Sequence, residues 1–192
     1  YVLINRGSQI IAQGSPSAPI TFTAFADAVS NTAGANDVSL WGGVVINGNG
    51  ITNNCTDQQR TDGTCAVVSE GQPTFYGGNN NAESSGEMRY VVIKHAGFEV
   101  ATDDELNGLT LNAVGAGTVL DHVQVYSTYD DGFEWFGGAV DGKYFVSYES
   151  GDDHFDMSEG YIGRGMKEIA GFLLILIVGY IWAYKKGALE WV

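Results

Sequence analysis

Basic residues are scarce in this chain. Nine Lys and Arg stand against 23 Asp and Glu, for a formal net charge of −14. A polyanion repels a phosphate backbone, and no basic patch offsets the repulsion, so nucleic acid is excluded as a partner. Cysteine is equally sparse, at two, and neither Cys has further Cys or His close enough in sequence for a zinc site. Amphipathic segments of 10–15 residues, the mark of βαβ units, are missing. There is no basic, apolar leader, and Tyr1-Val2-Leu3-Ile4 reads as the middle of a strand, so the sequence is expected to be a mature or truncated piece of a longer protein.

What is present divides in two. Up to about Gly165 the chain is rich in Gly, Asn, Asp, Ser and Thr, whereas Ile169 to Tyr184 is 16 residues without a charge. Cys55 and Cys65 close a short polar loop and read as a disulfide formed in an oxidising compartment, with two reduced, unpaired thiols as the alternative. Acidity of this kind suits solubility outside the cell or the capture of cations.

Short apolar runs recur through the polar body: Val2–Ile4, Ile10–Ala12, Ile20–Phe22, Val44–Ile46, Tyr90–Ile93, Leu109–Leu111, Val123–Val125, Phe133–Phe136 and Tyr144–Val146 among them. They are too short for helices, rich in β-branched and aromatic residues, and punctuated by Gly, Asn, Asp and Ser, which predicts an all-β chain. An internal repeat narrows this. Asp130-Asp131-Gly132-Phe133-Glu134 recurs 22 residues later as Asp152-Asp153-His154-Phe155-Asp156, and Val123 and Tyr126 meet Phe145 and Tyr148 at the same offset. A period in the low twenties is that of a solenoid whose coils stack like on like. The spacing predicts Phe133 beside Phe155 at one strand spacing, ~4.8 Å. An antiparallel sandwich is the competing architecture. The segments 24–40 and 48–86 fit the repeat poorly and read as loop insertions leaving one face, the second carrying the cysteines.

Several motifs carry a resemblance. Asn5-Arg6-Gly7-Ser8-Gln9-Ile10, Pro19-Ile20-Thr21-Phe22-Thr23 and Leu40-Trp41-Gly42-Gly43-Val44-Val45-Ile46-Asn47-Gly48 are similar to a bacterial family of secreted or lipid-anchored right-handed parallel β-helix proteins. So are Tyr76-Gly77-Gly78, Glu83-Ser84-Ser85-Gly86, Tyr90-Val91-Val92-Ile93-Lys94-His95-Ala96-Gly97, Leu106-Asn107-Gly108-Leu109-Thr110 and the run from Asp130 to Gly138. The resemblance covers residues 1–163 and implies a fold and an address outside the cytoplasm, not an activity. From Gly165 onward the chain instead resembles the last transmembrane helix and tail of the small A subunit of bacterial NADH-quinone oxidoreductase, most distinctively in Lys185-Lys186-Gly187-Ala188-Leu189-Glu190-Trp191. The other helices of that subunit are missing, so respiratory activity does not carry over, and the join between the two parts is natural, engineered or an assembly artefact.

The expected organisation is therefore a right-handed parallel β-helix over 1–163 and a membrane helix with a cytoplasmic tail over 164–192. The spanning residues would include Ile169, Phe172, Leu173, Leu176, Ile177, Tyr180 and Trp182, with Lys185-Lys186 favouring a cytoplasmic C-terminus. Sixteen residues make ~24 Å of helix, a little short of the ~20 residues a span usually needs; a buried core helix is the alternative.

Three acidic clusters are candidates for chemistry: Asp103-Asp104-Glu105, Asp130-Asp131 with Glu134, and Asp152-Asp153 with Asp156 and Glu159. The period stacks Asp130 on Asp152 and Asp131 on Asp153, an oxygen-rich column suited to calcium. The alternative is four turn residues bonding their own backbone. Paired carboxylates also raise polysaccharide hydrolysis or lyase chemistry, and Gly151-Asp152-Asp153 resembles one motif of the polygalacturonases. The partner motifs of that family are absent, and His95, His122 and His154 read as packing or turn residues. Trp41, Tyr76, Phe133, Trp135, Phe136, Tyr144 and Tyr148 form a sugar-stacking platform in one reading and core in the other. The reading drawn from all this is a non-enzymatic, membrane-anchored module, outside the cytoplasm, for adhesion or carbohydrate contact, with no catalytic residue assigned. A polysaccharide-degrading enzyme and a membrane accessory of a respiratory complex are the alternatives.

Overall fold

A computed structural model describes residues 1–102 and 104–186, the side chains of 165–174 excepted. The first turn of chain runs β1 (Val2–Ile4), β2 (Ile10–Gln13), β3 (Ile20–Phe22) and the short helix α1 (Phe25–Ala28). The second runs β4 (Val44–Asn47), α2 (Asp57–Thr61), β5 (Val67–Val68), β6 (Phe75–Tyr76) and β7 (Gly86–Lys94). The third holds β8 (Glu99–Ala101), β9 (Asp104–Glu105), β10 (Leu109–Asn112) and β11 (Val119–Thr128). Then follow β12 (Phe133–Phe136), β13 (Gly142–Lys143), β14 (Val146–Ser150), β15 (Phe155–Ser158) and the helix α3 (Arg164–Lys185).

Two parallel sheets form the walls of the solenoid. One stacks β1-β4-β10-β12-β15 in sequence order; the other stacks β2 and β3 on β7, β7 on β11, and β11 on β13 and β14. Each coil contributes one strand position to each wall, so the stacking direction is the direction of the chain. This parallel β-helix overturns the sandwich alternative. Phe133 pairs in register with Phe155 on the neighbouring strand, and their rings stack at 5.4 Å.

Alternation explains the core. In the first sheet Val2, Val44, Leu109, Phe133 and Phe155 make one inward column, and Ile4, Ile46, Leu111, Trp135 and Met157 the next. The middle residues of both columns are buried. Val91 and Val123, and Ile93 and Val125, face them from the second sheet. The long strands β7 and β11 bend within themselves at residues of positive φ. Tyr90 (48°) and His122 (56°) form one such corner, and Tyr144 (58°) continues it in the next coil, between β13 and β14.

The 48–86 segment departs from the picture of a loop that leaves the body. It lies over the outer face of the first sheet, where polar outward residues meet it. Asn47 donates to Thr74 Oγ1 (3.0 Å) and Asn112 to Ser69 Oγ (2.8 Å). Arg6 ties its far side by donating to the carbonyls of Cys65 (3.0 Å) and Gly77 (2.8 Å), and Glu159 accepts from Thr52 (2.7 Å) and the Tyr76 hydroxyl (2.8 Å). Buried polar groups need such partners, and the Asn and Thr positions of β4 and β10 supply them. The Cys55–Cys65 disulfide forms inside this segment, Cα atoms 5.6 Å apart.

The expected transmembrane span falls on α3; among the described residues no helix is long and apolar enough to cross a membrane. The uncharged run is shorter than the thickness of a bilayer's hydrocarbon layer requires. Leu176, Ile177, Tyr180 and Trp182 are exposed and do not pack into the β-helix core. The side chains of Ile169, Phe172 and Leu173, and residues 187–192 of the expected tail, lie outside the described residues.

Candidate functional site

The repeat that builds the core also builds an acidic face. Glu134 and Asp156 are neighbours in register on β12 and β15, on the outward side of the sheet, next to Thr110 of β10. Asp130 and Asp131 occupy the turn entering β12, and Asp152 and Asp153 the turn entering β15. One carboxylate oxygen each from Asp130, Asp131 and Asp152 lies within 4.8 Å of the others, and so does one each from Asp131, Glu134 and Asp156. Asp131 belongs to both groups and joins them.

The column thus forms, with one change of membership. Asp153 contributes no carboxylate to either group; instead its backbone N–H donates to Asp131 Oδ1 at 2.8 Å. Asp131 therefore bonds the backbone of the next coil rather than its own turn. The residues that complete the cluster are Glu134 and Asp156. Their 22-residue offset is the signal that could have placed them in the column. Glu70 joins from the covering segment and Glu105 from the β8–β9 hairpin, neither with any periodic signal. Asp104 turns away to accept the Gly71 N–H (2.7 Å), Asp103 lies outside the described residues, and Glu159 is an anchor for the covering segment.

Crowding sets the electrostatics. Burial, then the charges of Glu105 and Asp152, raises the Asp130 carboxyl from 3.8 to about 6. Burial raises Asp131 further, to about 7, against the opposing pull of the Asp153 N–H. Glu134 is buried and pushed well up, first by that burial and then by Glu70 and Asp131. It shares a hydrogen bond with Glu70, and the Asn107 amide donates to both, at 3.3 Å to Glu70. Each of these carboxyls keeps its proton to a higher pH than an ordinary carboxylate does.

Its open side is a groove of about 550 Å³. Glu105, Asp130, Glu149 and Asp152 line it together with Thr128 and Tyr129, and no Lys, Arg or His is among the lining residues. The three histidines are engaged elsewhere. His95 is buried with Nδ1 2.6 Å from the Asp37 carbonyl, His122 stacks between Tyr90 and Tyr144, and His154 Nδ1 lies 3.0 Å from Ser147 Oγ. The aromatic platform dissolves largely into core: Phe133, Trp135 and Tyr76 are buried, and the Trp41 indole donates to the Lys94 carbonyl. Tyr144 and Tyr148 alone of that set stay more than half exposed.

A family model described as a pectate-lyase-like β-helix domain matches residues 1–170. No curated protein and no solved structure gives a significant match. The match ends before the Lys-Lys-Gly-Ala-Leu-Glu-Trp tail and lends no support to the respiratory resemblance. Since it spans the whole of the solenoid, from β1 through β15, the chain belongs to the family of pectate-lyase-like β-helix domains.

Proposed function

We propose that the chain is a non-enzymatic module working outside the cytoplasm, which contacts carbohydrate through the acidic groove with Ca²⁺ as the bridging ion. The observation that carries this is the convergence of Asp130 and Asp152, which line an open groove without a basic side chain, with the buried Asp131 behind them. The donor set fits the ion. It is all oxygen, and Ca²⁺–O distances of about 2.3–2.6 Å let carboxylates up to 4.8 Å apart share one ion with little movement. Bound there, Ca²⁺ would neutralise the crowded carboxylates and leave coordination positions for the carboxylate or hydroxyl oxygens of a sugar. The disulfide supports an oxidising compartment.

The test is co-sedimentation of the full chain with polygalacturonate in Ca²⁺ and in EDTA, with unsaturated products and reducing ends followed alongside. Retention in Ca²⁺, release in EDTA and an intact polymer are expected. Retention indifferent to chelator would refute the bridging role. Cleavage would favour the enzyme alternative, which draws on Asp131, a carboxyl raised to about 7 and so poised for acid–base work.

Attachment to a membrane rests on a separate observation. Ile175, Leu176, Ile177, Val178, Ile181 and Trp182 are exposed all round the described part of α3, and Lys185 follows them. Apolar surface on every side of a helix suits lipid, and a basic end suits anionic headgroups. The full chain should float with phosphatidylcholine–phosphatidylglycerol vesicles, and Leu176→Asp with Trp182→Asp should not. A parent chain that stays in the dense fraction would contradict attachment.

A further inference from the structure

The second sheet carries a groove of its own, unlike the acidic one in every chemical respect. Tyr90, His122 and Tyr144 stack along the solenoid axis with ring centroids 4.4 and 4.3 Å apart. They recur at the same corner of successive coils, held there by their positive φ. Beside this ladder Val92, Gln124 and Val146 pair across β7, β11 and β14. They form an outward row, because their neighbours Val91 and Val123 are committed to the core. Pro16 and Pro19, from the turn between β2 and β3, also line the groove, which holds about 270 Å³.

No Asp, Glu, Lys or Arg lines this groove, although the chain carries a net charge of −14. The one titratable ring in the lining, His122, is already paired through Nδ1 with Asp121 (2.5 Å), so the groove offers a charged ligand no free partner and favours a neutral one, since a charged ligand would lose hydration with nothing to replace it. The surface is mixed in a particular way. Rings, Val and Pro offer apolar area, while Ser15, Gln124, His122 and the tyrosine hydroxyls offer hydrogen bonds. A pyranose has that composition, with apolar C–H faces and a hydroxyl rim. Among the described residues Tyr144 ends the ladder; it is 64 % exposed, and Val146 beside it 52 %.

We propose that this groove is a second carbohydrate site, selective for neutral pyranose units and independent of Ca²⁺. The juxtaposition that assigns it is the Tyr90–His122–Tyr144 ladder beside the Val92–Gln124–Val146 row. It shares no residue with the acidic groove, so the two sites fail or succeed separately.

The test is affinity electrophoresis of the full chain, in EDTA throughout, through gels containing hydroxyethylcellulose, mannan or laminarin. The parent should be retarded by at least one of the three. Tyr144→Ala should bind roughly tenfold more weakly, the loss of one ring contact of about 1–1.5 kcal/mol. Val146→Lys should weaken retardation as well, and Asp131→Asn should leave it unchanged. Because Tyr144 and Val146 are exposed, both variants should keep the parent's far-UV circular dichroism. A parent that runs freely through all three gels overturns the site. So does equal retardation of parent, Tyr144→Ala and Val146→Lys, and so does retardation that appears only with Ca²⁺ or is lost in Asp131→Asn.

Discussion

Replacing Asp131 by Asn should make the metal-free protein more stable at pH 8, although it removes a charge from a hydrogen-bonded residue. Asn keeps the oxygen that accepts the Asp153 N–H and cannot ionise. The Asp131 carboxyl is raised from 3.8 to about 7 on folding, and Asp130 to about 6, each by burial first and neighbouring carboxylates second. A group whose pKa is raised in the folded state stabilises fully below its unfolded pKa, and that contribution is lost as pH climbs through the folded value. Stability should therefore fall between pH 5 and pH 8. Each pKa unit corresponds to ~1.4 kcal/mol, so the interval from pH 5 to the folded value of about 7 makes about 3 kcal/mol for Asp131 if it is fully shielded from solvent. The groove is open on one side, and screening there brings the expected cost to about 1–2 kcal/mol. For a chain of this length that is a fall in melting temperature of roughly 2–8 °C. Asp27, which Lys94 holds below its ordinary value, destabilises only at lower pH, whereas Glu83, raised by burial away from the cluster, shares the window, so the comparison of parent with Asp131→Asn is what isolates Asp131. The assay is thermal melting by circular dichroism in EDTA. Parent protein should melt lower at pH 8 than at pH 5, and the gap should narrow in Asp131→Asn. A parent that melts as high at pH 8, or a gap that Asp131→Asn leaves intact, would refute the electrostatic account.

Two further outcomes test the frame that holds the groove. Phe133 is fully buried and stacks on Phe145 and Phe155, so Phe133→Ala should cost about 3–5 kcal/mol in urea unfolding, and a cost under ~1 kcal/mol would deny the stacked core. Replacing Cys55 and Cys65 by Ser should cost about 2–3 kcal/mol, the loop-closure entropy of so short a ring. The damage should appear as proteolytic cutting between residues 48 and 86 with the solenoid's circular dichroism retained; loss of the whole fold would mean the segment is integral to the coils.

The sequence makes the solenoid legible because its last coils are regular. The 22-residue offset carries Phe133 onto Phe155 and Tyr126 onto Tyr148, and the register follows it in both cases. Earlier coils hide the same geometry. Val44 pairs with Leu109 across 65 residues because the 48–86 segment and a second hairpin intervene, and no fixed period survives such insertions. Asp130, Asp131 and Asp152 could be read off the offset, yet the role of Asp153 could not. Whether a turn aspartate offers its carboxylate or its N–H depends on backbone direction, which residue type does not encode. Glu70 reaches Glu134 only through the folding of the covering segment onto the sheet, whereas Asn107 reaches it from the turn that enters β10. The aromatic ladder escaped for a related reason. Tyr90 and His122 sit at corners inside long strands, where a simple alternation of inward and outward residues gives no hint of a left-handed bend.

The acidic groove as a cation seat is tested most directly by calorimetric titration of Ca²⁺ into chelator-treated protein at pH 7.5. The account predicts saturable binding at one ion per chain, with protons released as the raised carboxyls of Asp130 and Asp131 ionise, and loss of that binding in Asp131→Asn and in Asp152→Asn. Heats indistinguishable from dilution, or binding that survives both substitutions unchanged, would contradict it.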